Sequence, residues 1–340
     1  MNESVSKSRG LQDAEYVRSN ENPEKGPAWA ANRIPEALKR SSGGARLSRS
    51  RKLIDAAIDI ERASAQEAGM LGFMGRVLVQ ATLPHSRTNA RQFVRSNGGI
   101  TVHITALGEH ALPFGSYPRL LLTWLCTEAA REKSPIIELG DSLSEFMRKL
   151  GLLPTGGRWG TIPRFKEAAV SLFSSAVSYV DRRQPGHEHR AQMLVADELD
   201  LWWIPNDPEQ TALWRSTLTL SDRFFRAVTE RPVPIDLRAI GVLKQSSMAL
   251  DLYCWATYRV SYLTRETTIP WELLRLQFGA EYADTKQGRH RFKAKLLEAL
   301  RRVCTVYGAL RLKEGDSGLT LLPSPPHVRR VARKNAGRLL

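Results

Sequence analysis

The chain has 340 residues, and its Lys and Arg residues outnumber its Asp and Glu residues to give a formal net charge of +15. This length has room for two or three domains, each with a hydrophobic core. The charge favours an acidic partner, nucleic acid before an anionic surface. Without an apolar run long enough to cross a bilayer, the sequence predicts no membrane-spanning protein.

The cysteines and the N-terminus predict a cytoplasmic, reduced protein. Cys126, Cys254 and Cys304 are far apart in apolar contexts and are interpreted as small buried side chains. A zinc site or a disulfide framework would need clustered Cys or His, and the first residues lack the apolar stretch of a secretory signal. We therefore expect no metal and no cofactor.

The N-terminal third combines an irregular segment with the first periodic patterns. Residues 1–50 predict a disordered basic arm, which either contacts DNA phosphates or only keeps the chain soluble. A helix is expected from Arg51 onward. Residues 76–82 and 91–106 predict strands, and Asn97-Gly98 predicts a hairpin turn within the second stretch.

A helix-rich segment follows from residue 116. Ser116 is the predicted cap of a helix that ends before Ser134-Pro135, and residues 136–139 predict a short strand. Asp141 is the predicted cap of the next helix, which ends at Gly151. The loop 154–160 leads to a third helix with Phe165, Ala169, Leu172 and Phe173 facing inward, and strands are expected near 176–181 and 191–199.

The same order of elements returns in the last third of the chain. A long helix around Trp255 precedes a short helix that opens at Thr268-Ile269-Pro270 and ends at Gly279. A further helix begins near Lys286, and two strands enclose a turn at residues 315–318.

The two stretches can be superposed by their landmark residues. Gly151 and Gly279 end corresponding helices, Phe165-Lys166 corresponds to Phe292-Lys293, and Trp124 corresponds to Trp255. The shared order favours a duplication, with coincidence between two amphipathic stretches as the alternative. We therefore predict an α+β protein with tandem winged-helix domains: an N-terminal domain over 51–210 with its core at 112–205, a C-terminal domain over 211–326, and a basic tail over 327–340.

The helix at 286–302 carries the pattern of a DNA-reading helix. Phe292, Leu296, Ala299, Leu300 and Val303 form one apolar stripe at helical spacing. The polar residues outside this stripe are predicted to bind DNA: Lys286, Gln287, Arg289, His290, Arg291, Lys293, Lys295 and Arg302.

Roles follow from chemistry and from the position on the helix. Gln287, Arg289 and His290 are the candidates for base edges, because Gln suits the acceptor and the donor of adenine and Arg suits the two acceptors of guanine. Arg291, Lys293 and Lys295 are the candidates for phosphates. The alternative is a solvated basic face with no ligand.

The first repeat carries fewer cations at the corresponding places. Arg158, Thr161, Arg164 and Lys166 are the predicted DNA contacts there, and Trp159 is interpreted as packed rather than stacked on a base. The tail from His327 is rich in Arg and either adds affinity for phosphates or remains an unbound basic segment.

The chain resembles the RepA family of plasmid-encoded replication initiators. Four stretches carry the resemblance: LPFGSYPRLLLTWL (112–125), LGDSLSEFMRKLGLLPTGGRWGTI (139–162), IPWELLRLQFGA (269–280) and LTLLPSPPHV (319–328). It implies a tandem winged-helix protein that binds double-stranded origin repeats, called iterons. It further implies opening of the adjacent DNA, recruitment of host helicase and DnaA, and formation of homodimers.

An enzyme is the main competing class. The sequence holds no GxxxxGK[ST] phosphate loop, no HExxH zinc motif and no serine nucleophile elbow. The run His187-Glu188-His189 is similar to the histidine pair of rolling-circle nucleases, but it follows Pro185-Gly186 and predicts a turn between two strands. We expect a non-enzymatic initiator, with a transcriptional repressor that lacks initiator activity as the alternative and a nicking enzyme as a third possibility.

Overall fold

The computed structural model describes residues 44–80, 82–140, 142–201, 216–279 and 281–328. The described residues from Arg49 onward form one compact unit. A helix begins at Gly44, inside the last residues of the segment predicted as a disordered arm. For residues 1–43, which lie outside the described parts, the arm stays a prediction.

The first half of the described chain alternates helices with short strands. Its elements are α1 (Gly44–Arg62), β1 (Leu71–Met74), α2 (Arg76–Gln80), β2 (Gln92–Asn97), β3 (Ile100–Ala106), α3 (Ser116–Glu132), β4 (Ile136–Gly140), α4 (Leu143–Lys149), α5 (Thr161–Phe173), β5 (Ser175–Asp181), β6 (His189–Leu194) and β7 (Ala196–Asp200).

The second half returns to the same kinds of element. It comprises β8 (Ser216–Leu220), α6 (Asp222–Thr229), β9 (Val233–Asp236), α7 (Leu237–Leu243), α8 (Ser247–Val260), β10 (Thr267–Pro270), α9 (Trp271–Phe278), α10 (Lys286–Val306), β11 (Leu312–Glu314) and β12 (Gly318–Leu321). The mixture of helices and antiparallel sheets confirms the predicted α+β class.

Four antiparallel sheets organise these elements. Strands β2-β3-β5-β6 form one sheet, and β1 pairs with β9, so that a segment from each half of the chain meets in one ladder. The other two sheets have matching orders, β4-β8-β7 and β10-β12-β11, in which the last strand lies between the first and the second.

This matching order defines two repeats within the compact unit. The first repeat (residues 116–220) and the second repeat (residues 247–321) each contain a long helix, a strand, two helices and two further strands. These three strands of each repeat form one sheet. The first repeat differs because the β5–β6 hairpin stands between its last helix and the strands β7 and β8. The boundary predicted at residues 210–211 falls in 202–215, outside the described residues.

Aromatic contacts repeat along with the elements. Trp124 meets Phe146 edge-on with 4.7 Å between ring centroids, and Trp255 meets Phe278 in the same way at 5.5 Å. In both repeats a tryptophan of the long helix therefore packs on a phenylalanine of the next helix. Such pairs add about 0.5–1.5 kcal/mol beyond the burial of their area.

A buried ionic cluster joins the two long helices. Arg119 of α3 donates to both oxygens of Asp251 of α8, at 2.7 Å each. The same guanidinium donates to the carbonyl groups of Leu83 and Pro84, and the Nε2 atom of His85 lies 2.7 Å from Asp251. Burial alone would raise the pKa of Asp251, but the Arg119 charge and the His85 hydrogen bond lower it to about 2.

The short helix of the second repeat rests on the first sheet. Helix α9 packs against β2, and the Gln277 side chain donates to the Gln80 carbonyl at 3.1 Å. Glu281 accepts hydrogen bonds from the backbone N–H groups of His85 and Ser86. The turn before α10 is therefore tied to residues that precede the first repeat.

The structure corrects three local predictions. Residues 76–80 are a helix, although Val77 and Val79 favour a strand, because Val79 is buried where α2 packs on α6 and α8. Gly115 rather than Ser116 precedes the first helical residue of α3. Ser142 rather than Asp141 caps α4, since its hydroxyl accepts from the Glu145 N–H.

The strand predicted near 191–199 is two strands, β6 and β7, which belong to different sheets, and residues 268–270, predicted to open a helix, lie in β10. Most other predicted elements are confirmed, with small shifts of their ends. Strands β2 and β3 enclose the turn at Gly98, α4 ends before Gly151, α5 buries the predicted apolar face, and α10 begins at Lys286. Cys126 and Cys254 are buried, and Cys304 is half-buried.

Candidate nucleic-acid interface

The second repeat holds α10 in place through its glycines and its cap. Gly279 ends α9, and a β-carbon there would overlap the Phe292 ring, which is the first buried side chain of α10. The Thr285 hydroxyl caps α10 by accepting from the Gly288 N–H at 3.1 Å. A β-carbon at Gly288 would meet the Ala283 carbonyl, so this turn closes tightly only with glycine.

Helix α10 buries one stripe and presents another. Phe292, Leu296, Ala299, Leu300, Val303 and Val306 face the core, as the apolar spacing predicted. Gln287, His290, Arg291 and Ala294, here called the outward stripe, are all exposed. Their spacing of i, i+3, i+4 and i+7 places them along one side of the helix.

The polar groups of the outward stripe are uncommitted. Within the described residues, the side chains of Gln287, His290 and Arg291 make no hydrogen bond or ion pair, and the same holds for Lys286 at the start of the helix. Ala294 leaves room beside them for close approach of a ligand. Donors that are exposed and free of intramolecular partners are what recognition of phosphates and base edges needs.

Four of the predicted contacts on α10 form ion pairs, and three of these pairs lie on the exposed surface. Arg289 pairs with Asp284 at 2.7 Å, while Lys295 and Arg302 share Glu298 at 3.1 Å and 3.0 Å. The hydrogen bond from Lys295 lowers the pKa of Glu298. Exposed pairs contribute only about 0–1 kcal/mol, so these cations can exchange a carboxylate for a phosphate at small cost.

Lys293 lies in a different setting from its neighbours. Its ammonium group is 2.9 Å from Glu314 of β11 and 4.4 Å from the centre of the Trp271 ring. The Trp271 indole donates to the Gly315 carbonyl in the β11–β12 turn at 3.0 Å. Lys293, predicted as a phosphate contact, therefore connects α9, α10 and the β11–β12 hairpin, and its half-buried side chain is less available than the rest.

Three residues near α10 were missed by the sequence reasoning. Ala294 and Arg301 continue the exposed side of α10, and Lys313 is exposed on β11. Helical spacing from Gln287 could have found Ala294 and Arg301. Lys313 had no comparable signal, because its exposure depends on which side of a short strand faces the sheet.

The predicted contacts of the first repeat are brought together at the start of α5. Arg158 and Arg164 are exposed, while Lys166 is half-buried and burial lowers its pKa. Arg164 donates to the Gly160 carbonyl at 3.2 Å. The Thr161 hydroxyl donates to the Leu153 carbonyl at 2.6 Å and accepts from the Thr155 N–H, so it closes the loop rather than facing outward.

The interpretation of Trp159 as a packed side chain is wrong. The side chain is 82% exposed, and the guanidinium of Arg158 lies over its ring at 5.4 Å from the centre. The reason is local: the loop closes through the backbone and hydroxyls of Thr155 and Thr161, and it leaves the indole outside.

The histidine run of the β5–β6 connection is a turn, as predicted, and His189 is the first residue of β6. Glu188 between the two histidines pairs with both Arg182 and Arg190. Within the described residues, no group of three or more His, Cys, Asp or Glu side chains could hold a metal ion. None of the described helices is both long and apolar enough for a transmembrane span.

The basic tail predicted to add affinity for phosphates lies outside the described residues from Arg329 onward.

Two solved structures resemble the fold only distantly. A crystal structure of selenomethionine derivatives of domains 2 and 3 of RctB has a TM-score of 0.46 at 11% identity and covers 73% of this chain and 96% of that chain. A second structure of RctB domains 2–3 has a TM-score of 0.44 at 12% identity, with coverages of 72% and 94%. At these values the resemblance carries no argument about function.

The family comparison covers the middle of the chain. No curated protein matches it as a relative. Residues 112–272 match the family model described as "Plasmid encoded RepA protein", which confirms over that stretch the resemblance drawn from the sequence. The match contains the first repeat and ends at the start of α9, before α10 begins. Over residues 112–272, the chain is similar to plasmid-encoded RepA proteins.

Proposed function

We propose that this protein is a plasmid replication initiator that binds repeated double-stranded sequences, iterons, at the plasmid origin. In this proposal α10 enters the major groove, and the bound protein opens the adjacent DNA and recruits host helicase and DnaA. The chain acts without enzymatic chemistry of its own and forms homodimers in part of its cycle.

The outward stripe of α10 is the observation that carries the proposal. Its free donors at Gln287, His290 and Arg291 stand on one side of the helix, around the small Ala294. A helix that places such residues along one side can lie in the major groove, with Gln287 and His290 toward base edges and Arg291 toward a phosphate. Lys286, Lys295 and Arg301 add cations at the margins of the groove. Arg289, a candidate for base edges from the sequence, is paired with Asp284 and is placed here among the phosphate contacts.

The topology around α10 supports the same proposal. A winged helix consists of a strand, two helices and a two-stranded hairpin. Strand β10, helices α9 and α10, and the β11–β12 hairpin follow this order, and β12 pairs with β10. We interpret the first repeat as a second winged helix, because β4-β8-β7 has the same order. Lys313 on β11 then faces a phosphate beside the groove.

Selection of duplexes from a random library tests DNA recognition directly. The wild-type chain is expected to enrich one sequence, and Lys286→Ala with Arg291→Ala should abolish the enrichment. Arg226→Ala is the matched control, because Arg226 is an exposed helical arginine whose ion pair among the described residues is with Asp222 on its own helix. Recovery of random sequences by the wild type would overturn the proposal.

Initiation must be separated from repression by a second experiment. A plasmid that carries only this gene and its flanking repeats should replicate in a suitable host, and the Lys286→Ala, Arg291→Ala variant should not support it. Sequence-specific binding without replication would favour a repressor. Relaxation of supercoiled origin DNA in the presence of a divalent metal would instead show a nicking enzyme.

A further inference from the structure

The loop before α5 holds the most exposed large apolar side chains of the described chain. Trp159 is 82% exposed, and Leu153 at the other end of the loop is 76% exposed. Burying an indole removes a large apolar area from water, so an ordered loop that keeps it outside is an unusual arrangement.

Hydrogen bonds fix the loop without help from the indole. Thr155 and Thr161 exchange bonds in both directions between backbone N–H and side-chain hydroxyl, each at 2.9 Å, and the Ile162 N–H donates to the Thr155 carbonyl at 3.2 Å. Gly160 has no room for a β-carbon beside the Thr155 and Gly156 backbone. The loop therefore presents Trp159 from a defined backbone.

The surroundings of the ring are cationic. Arg158 lies over the indole, Arg164 is exposed on the first turn of α5, and residues 151–166 contain no Asp or Glu. The next residue, Glu167, pairs with Arg87 at 3.5 Å. A positive surface around an exposed aromatic ring is complementary to a nucleic acid and repels a basic partner.

We propose that Trp159 and Arg158 form a stacking platform for unpaired nucleobases of single-stranded DNA. In a duplex the faces of the bases are covered by their neighbours, and the single N–H of an indole reads base edges poorly. Unpaired bases expose their faces, which stack on aromatic rings and on guanidinium planes irrespective of sequence. The inference rests on the proposed function, because opening of the origin is what would supply such a strand.

The platform is tested by the binding of the full chain to a labelled oligomer of about 20 deoxythymidines. This length exceeds the binding site of a typical protein for single-stranded DNA. Trp159→Ala should weaken this binding roughly 5- to 150-fold, the range expected for loss of one base–aromatic stack. Trp159→Phe should restore most of the affinity. Quenching of tryptophan emission by the oligomer should also be lost in Trp159→Phe.

Tyr262→Ala is the matched control, because Tyr262 is an exposed ring with Arg259 over it at 5.3 Å, in the other repeat. It should change binding by less than about two-fold, as surface substitutions commonly do. No loss in Trp159→Ala, or equal losses in both variants, would overturn the inference.

The duplex recovered by selection is measured in parallel. Trp159→Ala should bind it as the wild type does, and an equal loss on both DNAs would contradict a platform specific for unpaired bases. If duplex selection fails while binding to deoxythymidine still depends on Trp159, the proposed function fails and the platform stands.

Discussion

The two repeats place different side chains at corresponding positions of the same framework. If Phe165 is superposed on Phe292, Arg164 corresponds to Arg291 and Lys166 to Lys293. Both lysines are half-buried, but Arg164 is bonded to a carbonyl whereas Arg291 is free within the described residues.

Two further positions separate the repeats more clearly. Ala294, exposed on the outward stripe, corresponds to Glu167, a carboxylate that would repel phosphates. Lys286 corresponds to Trp159. Among the described residues, one framework therefore carries exposed donors without partners in the second repeat and a different surface in the first, because the surface depends on the side chains and not on the fold.

The largest expected effect is on stability and comes from the buried ion pair of Arg119 and Asp251, which joins the long helices of the two repeats. Asp251→Ala leaves Arg119 buried without its carboxylate, and we expect a loss of about 3–5 kcal/mol in the free energy of unfolding. Urea denaturation followed by tryptophan emission and circular dichroism should show one transition at a lower midpoint. Asp222→Ala, which removes an exposed pair with Arg226, is the control and should cost less than about 1 kcal/mol.

Two separate transitions in the Asp251→Ala variant would show that the repeats fold independently, and an effect no larger than that of Asp222→Ala would show that the pair does not stabilise the unit.

The second prediction compares the corresponding arginines. Arg291→Ala should weaken duplex binding by about 1–3 kcal/mol and reduce the salt dependence by about one charge, since a free guanidinium on α10 is lost. Arg164→Ala should have a smaller effect, because Arg164 is bonded to the Gly160 carbonyl and lies over the Tyr117 ring. Affinities at several salt concentrations measure both, and a larger loss for Arg164→Ala would assign duplex binding to the first repeat.

A third, more modest effect depends on pH and on two buried histidines that contact α8. Burial lowers the pKa of His85, which lies against Asp251, and the pKa of His327, which bonds to Tyr253. A lowered pKa in the folded state means that the unfolded chain takes up protons first as the pH falls below about 6.5. The two histidines therefore lower the free energy of unfolding at pH 5 relative to its value at pH 7.

Urea denaturation at the two pH values measures this loss. His327→Gln should reduce the difference between pH 7 and pH 5 by removing one of the two groups. A wild-type midpoint that is the same at both values would contradict the burial of neutral imidazoles.

The sequence predicted the elements of both repeats better than their surfaces. Apolar spacing located α5 and α10 because burial of one helical face leaves a periodic record, and glycines marked the ends of α4 and α9. The strand predicted at 76–82 was wrong because the packing of Val79 overrides a local preference.

The surfaces depend on contacts that no local pattern records. Arg119 and Asp251 are 132 positions apart, and Lys293 of α10 meets Glu314 of the β11–β12 hairpin. Trp159 was misread because an apolar residue in a sequence does not reveal whether the fold offers it a cavity. The acidic partners of Arg289, Lys295 and Arg302 were visible as residues, but their geometry was not.

The smallest expected effect concerns Ala294, which corresponds to Glu167 of the first repeat. A small apolar side chain in the middle of the outward stripe suits the methyl group of a thymine, which is a contact the major groove offers. Replacing each thymine of the selected duplex by deoxyuridine should reveal one position that costs roughly 0.8 kcal/mol, the worth of one buried methyl group. Ala294→Gly should lose this sensitivity to the methyl group while remaining able to select the same sequence. If every thymine tolerates the replacement, Ala294 contacts no thymine methyl group and only allows the DNA to approach the helix. The specificity of α10 must then come from its donors Gln287 and His290.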